Sequence, residues 1–190
     1  MRSMLALLAI AITFACSSPA DSDPALAPIF VIMCADVSPD EPPHPCCTGF
    51  ALGGQVVTAN HCVPDADARL VSREQWLHTA SDSEIGHVVA RDEARDIAWL
   101  DAPVDEQLER GAPTAEGASV SALTVSGVKP GTANTQTGAF WMSDLSTLLG
   151  DSGAAIVDAN GDAIGVLTDC LVKIGSKQCE PKTGMFAELP

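Results

Sequence analysis

Short apolar runs, each bounded by Gly, Pro, Asn or Asp and recurring at roughly ten-residue intervals, constrain this chain more than any other feature. Residues 29–33, 48–52 and 55–58 are the first three, and 85–90, 97–100, 119–125, 135–141, 154–157, 163–168 and 184–189 follow. Each is too short for a stable helix, and no stretch carries a persuasive helical stripe, so the runs predict strands. Gly53-Gly54 and the segment Asp158-Ala159-Asn160-Gly161-Asp162 sit where two-strand turns are needed. The expectation is an all-β barrel or sandwich. At 190 residues, 46% of them hydrophobic, the chain suits one domain with a real core.

Met1-Arg2 and the apolar run 4–15 read as a secretory leader, too short for a transmembrane helix. Cleavage before Cys16 would suit either a secreted protein or a lipoprotein with Cys16 lipidated, and residues 16–28 read as a polar tether. The protein is therefore expected outside the cytoplasm: in a periplasm, on a cell surface or secreted. The formal charge of −15 leaves too few cations for a phosphate backbone, so no nucleic-acid partner is expected. Apart from Cys16 there are six cysteines, an even number that favours disulfides in an exported chain, with several connectivities open. His44-Pro45-Cys46-Cys47 has zinc-like residue types, but disulfides would use the same thiols. No metal and no cofactor are expected.

Three motifs occur in a fixed order: Thr58-Ala59-Asn60-His61-Cys62, Asp96-Ile97-Ala98-Trp99-Leu100 and Gly150-Asp151-Ser152-Gly153. Each alone is weak, since His61 could be a hairpin-end residue, Asp96 a capping residue and Ser152 a turn serine. Together, in the order His, Asp, Ser, the chain resembles the trypsin/chymotrypsin-like serine endopeptidases. The resemblance implies two packed six-stranded antiparallel β-barrels, one over about 29–110 and one over about 111–190, joined near 111–117. Only 56 positions separate Asp96 from Ser152, so the loops of the second barrel must be trimmed.

By the same resemblance His61 is the general base, Asp96 its orienting carboxylate, carried by a strand into the core, and Ser152 the nucleophile, with the N–H groups of Gly150 and Ser152 forming the oxyanion hole. A serine hydroxyl needs such a base because it is a poor nucleophile near neutral pH, whereas imidazole titrates at about pH 6.5. The resemblance further implies a Cys46–Cys62 bridge. Cys170 and Cys179 are close neighbours expected to pair, which leaves Cys34 with Cys47.

Ser146, Thr168 and Gly184 fall at the positions of the specificity pocket, and Ser146 in place of an acidic residue argues against Arg/Lys specificity. Two departures matter. Gly153 is followed by Ala154-Ala155 rather than Gly-Pro, and no activation terminus of the Ile-Val-Gly-Gly kind is visible, so Asp151 must find another partner or leave the oxyanion hole unformed. His44, His78, His87 and the acidic Asp65-Ala66-Asp67 have no such context and read as exposed. The expected function is an exported monomeric serine endopeptidase acting on proteins or peptides. The alternative is an inactive homologue that binds peptides or serves as a scaffold in the cell envelope.

Overall fold

The computed structural model describes residues 24–34, 44–78, 83–172 and 179–190, so the leader and Cys16 lie outside it. Twelve strands account for nearly all of the regular structure. Six form the first closed barrel: β1 (Ile29–Cys34), β2 (His44–Leu52), β3 (Gln55–Ala59), β4 (Asp67–Ser72), β5 (Glu84–Asp92) and β6 (Ile97–Asp101). The second holds β7 (Ser119–Thr124), β8 (Gly127–Thr137), β9 (Phe140–Ser143), β10 (Ala155–Val157), β11 (Ala163–Val172) and β12 (Cys179–Glu188). The first barrel runs β1-β2-β3-β6-β5-β4, and the second repeats that order six strands later, although no sequence repeat announces it. Closure of each sheet on itself removes the exposed edges that six short strands would otherwise present.

Alternation explains most of these elements. In β4, Ala68 and Leu70 face the core while Asp67 and Arg69 face water, a period-two pattern that sequence reading passed over because only three of its residues are apolar. A short helix, α1 (Arg73–His78), follows it. The single run expected over 135–141 is in fact a hairpin: Gly138, at φ +64°, turns the chain between Thr137 and Phe140, which pair as β8 meets β9.

The globular part also reaches further back than the tether expected over 16–28, since Leu26 is buried and the Pro28 carbonyl accepts a hydrogen bond from Ala51 N–H. Leu26, Ile29 and Phe50 pack with Leu123, Val157 and Val166 between the barrels, and this shared apolar layer fixes where the inter-barrel cleft lies.

Two of the expected disulfides are wrong. The bridges are Cys34–Cys46 and Cys47–Cys62, not Cys46–Cys62 and Cys34–Cys47, with Cα atoms 5.7 and 6.0 Å apart; Cys170 and Cys179 are joined at 5.5 Å. The reason lies in the β1–β2 pairing. Ile32 pairs with Cys47 and Met33 with Pro45, so Cys46 is the extra residue of a bulge, where it meets Cys34, while Cys47 is buried in the barrel core with Cys62.

Candidate active site

The motif residues converge at the cleft between the barrels. His61 lies in a 3-10 turn, Asn60–Cys62, that follows β3, and Asp96 in the turn just before β6. β3 and β6 pair through Ala59 and Ile97, so the two turns are adjacent by construction. Asn60 N–H donates to the Asp96 carbonyl at 2.8 Å, and His61 N–H to Asp96 Oδ1 at 3.0 Å. His61 Nδ1 is 2.6 Å from Asp96 Oδ2.

Both oxygens of the carboxylate are thus spent on one histidine. The cost is a left-handed backbone at Asp96, φ +55°, which Asp tolerates better than most residues. Asp96 is not carried into the core as expected: it precedes the strand, and its side chain stays 27% exposed. The Asp96 hydrogen bond raises the His61 pKa above its ordinary value; partial burial opposes this, and the charges of Asp96 and Asp169 add to it.

Arg91 holds the His61 loop from outside, a role no motif signalled. Its guanidinium donates to Asn60 Oδ1 at 2.5 Å and to the carbonyls of Val63 and Asp65, both at 2.7 Å.

Ser152 sits in a turn clamped from both barrels. Thr48 N–H donates to the Ser152 carbonyl at 2.8 Å, Thr48 Oγ1 to the Gly150 carbonyl at 3.0 Å, and Gly153 N–H to the Leu167 carbonyl at 2.6 Å. Gly153, at φ +87°, lies so close to β2 and β3 that a Cβ would collide with the Thr48 carbonyl and the Thr58 hydroxyl. Ala154 and Ala155 are fully buried, so only small residues fit after it.

Gly150 takes φ +95°. The N–H groups of Asp151, Gly153 and Ala154 all donate to carbonyls. Among the described residues, those of Gly150 and Ser152 have no protein acceptor, which leaves a pair of flanking donors for an oxyanion.

Asp151 has found a partner. Lys129 Nζ from β8 lies 2.5 Å from Asp151 Oδ2, which also accepts Leu148 N–H at 2.6 Å; the two side chains are 18% and 9% exposed. The ion pair pins the loop 148–151, so of the two expectations for Asp151 it is the one with another partner that the structure shows. Nothing in the spacing of Lys129 from Ser152 could have revealed it, because the contact depends on the β7–β8–β9 geometry.

The pocket residues are brought together only in part. Thr168 is buried, and its carbonyl accepts Ser152 Oγ–H at 3.5 Å. Gly184 is buried, yet the nearest atoms a Cβ would meet there belong to Leu145, Ser143 and Thr147. Ser143 Oγ donates to the Gly184 carbonyl at 2.7 Å. Ser146 is exposed. The wall opposite Gly184 is therefore 143, 145 and 147, a period-two set that an alternation reading could have picked out.

His87 pairs with Asp67 on the surface, and His44 is exposed. Ligand atoms of Cys47, His61 and Cys62 lie within 4.8 Å of one another, but the two sulfurs are bonded together and offer no thiolate.

No family sequence model and no curated protein matches the chain. Solved structures do. The HtrA-type protease AlgW with a decapeptide superposes with a TM-score of 0.63 at 19% identity, covering 86% of this chain and 62% of that one. The Rv3671c protease from M. tuberculosis gives 0.64 at 19% identity in its active form, covering 86% of this chain and 77% of that one. Its inactive form gives 0.60 at 18%, covering 86% and 84%. This chain spans about three fifths of the AlgW chains it matches. The likeness establishes the paired-barrel fold of trypsin/chymotrypsin-like serine proteases.

Proposed function

We propose that this protein is a serine endopeptidase, exported from the cytoplasm, that cleaves peptide bonds through Ser152, His61 and Asp96 by way of an acyl-enzyme. The observation that carries the reading is the conjunction of a doubly hydrogen-bonded His61–Asp96 pair with a clamped Ser152 flanked by two unspent N–H donors. Asp96 holds His61 with Nδ1 occupied, which directs Nε2 to serve as base. His61 takes the Ser152 proton as Oγ attacks the scissile carbonyl, and the new oxyanion settles between Gly150 and Ser152 N–H. The imidazolium returns its proton to the leaving amine, and water repeats the sequence on the ester.

The peptide would lie along Thr168 in the inter-barrel cleft. That AlgW is solved with a decapeptide and with a tripeptide supports a peptide substrate. Gly184, with Ser143, Leu145 and Thr147 around it and no charged side chain among them, supports an uncharged residue in the primary pocket. Export, either as a released protein or as one lipidated at Cys16, belongs to the same proposal and rests on the leader and tether.

One observation favours the second reading, an inactive peptide-binding homologue: the Ser152 hydroxyl is hydrogen-bonded to the Thr168 carbonyl. Intact-mass analysis of the oxidised protein after exposure to a fluorophosphonate separates the two. One adduct, absent from Ser152→Ala, is the expected result; no adduct on correctly bridged protein would withdraw the endopeptidase reading.

A further inference from the structure

Beyond Leu167 one edge of β11 has no strand partner among the described residues. β10 stops pairing at Ala155 opposite Val166, and the last bonds on that side join Leu167 to Gly153 and Ala154. Leu171 N–H turns the other way, to Thr183 on β12, so the groups directed into the cleft are the Thr168 carbonyl and Cys170 N–H. An extended peptide can add there as a strand.

Neither group is idle. Ser152 Oγ–H occupies the Thr168 carbonyl, and Asp169 Oδ1 accepts Cys170 N–H at 2.7 Å. A peptide strand that takes Cys170 N–H must displace the Asp169 carboxylate, which then needs a new partner.

Asp169 lines a cavity of about 380 Å³ with His61, Asp96, Phe140, Thr168 and Met185. Asp96 is spent on His61, whereas Asp169 is exposed and has no ion-pair partner among the described residues. Phe140 and Met185, both half-buried, supply apolar wall beside the carboxylate. An alkyl stem ending in a cation matches both parts, while an acidic side chain would meet two carboxylates.

Side chains of an added strand alternate. With the residue before the scissile bond directed toward Gly184, its predecessor faces the His61 side, where this cavity lies. Resting on the proposed endopeptidase function, the geometry points to Asp169 as a specificity residue that selects Lys or Arg at the second residue before the scissile bond. The cationic selection is thereby placed one residue away from the uncharged primary pocket.

Binding tests this without turnover. The oxidised protein carrying Ser152→Ala is titrated with fluorescein-labelled hexapeptides that differ only at that second residue, as Lys, norleucine or Glu, and read by anisotropy. The Lys peptide is expected to bind about three- to tenfold more tightly than norleucine, with Glu weakest, and the gap should narrow at high salt. Adding Asp169→Asn should bring Lys and norleucine within twofold, and Asp169→Lys should turn the preference toward Glu.

Equal affinities for all three peptides, a Lys preference that survives Asp169→Asn, or no binding of any peptide would each overturn the inference. Fluorophosphonate labelling of the unsubstituted protein tests the catalytic reading separately. Failure of labelling with an intact Lys preference would leave a basic-peptide binder.

Discussion

Replacing Lys129 by Met keeps most of the apolar stem and removes the ammonium, leaving Asp151 almost buried with one hydrogen bond, from Leu148 N–H, on the oxygen that held the ion pair. Breaking a fully buried pair costs about 3–5 kcal/mol. Lys129 retains 18% exposure and Asp151 keeps the Leu148 bond, so we expect about 2 kcal/mol for the loop.

Asp151 lies between the two oxyanion donors, so relaxation of its carboxylate toward water carries Gly150 and Ser152 with it. About 2 kcal/mol is roughly a thirtyfold shift in the equilibrium between the competent loop and its relaxed forms, and so the upper bound on the fall in the rate of fluorophosphonate labelling. Urea unfolding should report a similar loss. Lys129→Arg should restore most of both. The double variant Lys129→Met/Asp151→Asn, which buries no lone charge, should be more stable than Lys129→Met alone, with a coupling of about 1–3 kcal/mol. Labelling at the wild-type rate in Lys129→Met, with unfolding unchanged within about 0.5 kcal/mol, would refute the claim that this ion pair holds the loop.

Other outcomes follow from the same geometry. The raised His61 pKa places the acid limb of kcat/KM above the pH of free imidazole, about 6.5, because the base must be neutral; Asp96→Asn should move that limb down and cut kcat about 10⁴-fold in a pH–rate series. The sign for stability is opposite: the imidazolium–Asp96 interaction contributes fully below about pH 6.5 and is lost as pH rises through the raised value, which thermal unfolding across that window should register. Gly153→Ala should destabilise by about 4 kcal/mol or prevent soluble expression, since the collision is with the Thr48 backbone at a left-handed φ. Arg91→Met should lower kcat with little change in KM, measured on one peptide substrate, because it frees the His61 loop without touching the peptide edge. Fragmentation of a non-reduced digest between Cys46 and Cys47 should find Cys34 with Cys46 and Cys62 with Cys47; the removal of Cys47–Cys62 should cost about 3 kcal/mol, by the entropy of its loop.

The barrel strands were legible where apolar residues cluster, as at Phe50, Ile97 and Ile156, because burial demands such residues and turns demand Gly, Asn or Asp. β4 and most of β8 were not, since one face of each is wet and few of their side chains are apolar. His61, Asp96 and Ser152 stood out by their order along the chain and the resemblance it carries rather than by local chemistry, since each alone reads as an ordinary turn or capping residue.

What pairs across the fold was beyond the sequence. The partner of Asp151 is 22 positions away on β8, and although 143, 145 and 147 share a face by alternation, that this face meets Gly184 is decided by the fold. The choice between Cys46 and Cys47 as partner of Cys62 turned on a bulge in the β1–β2 ladder at Cys46, which no residue type announces. A chain lists its ionisable groups and thiols. Only closure of each barrel around its own core, and the packing of the two through the apolar layer around Phe50 and Val166, decide which of them meet.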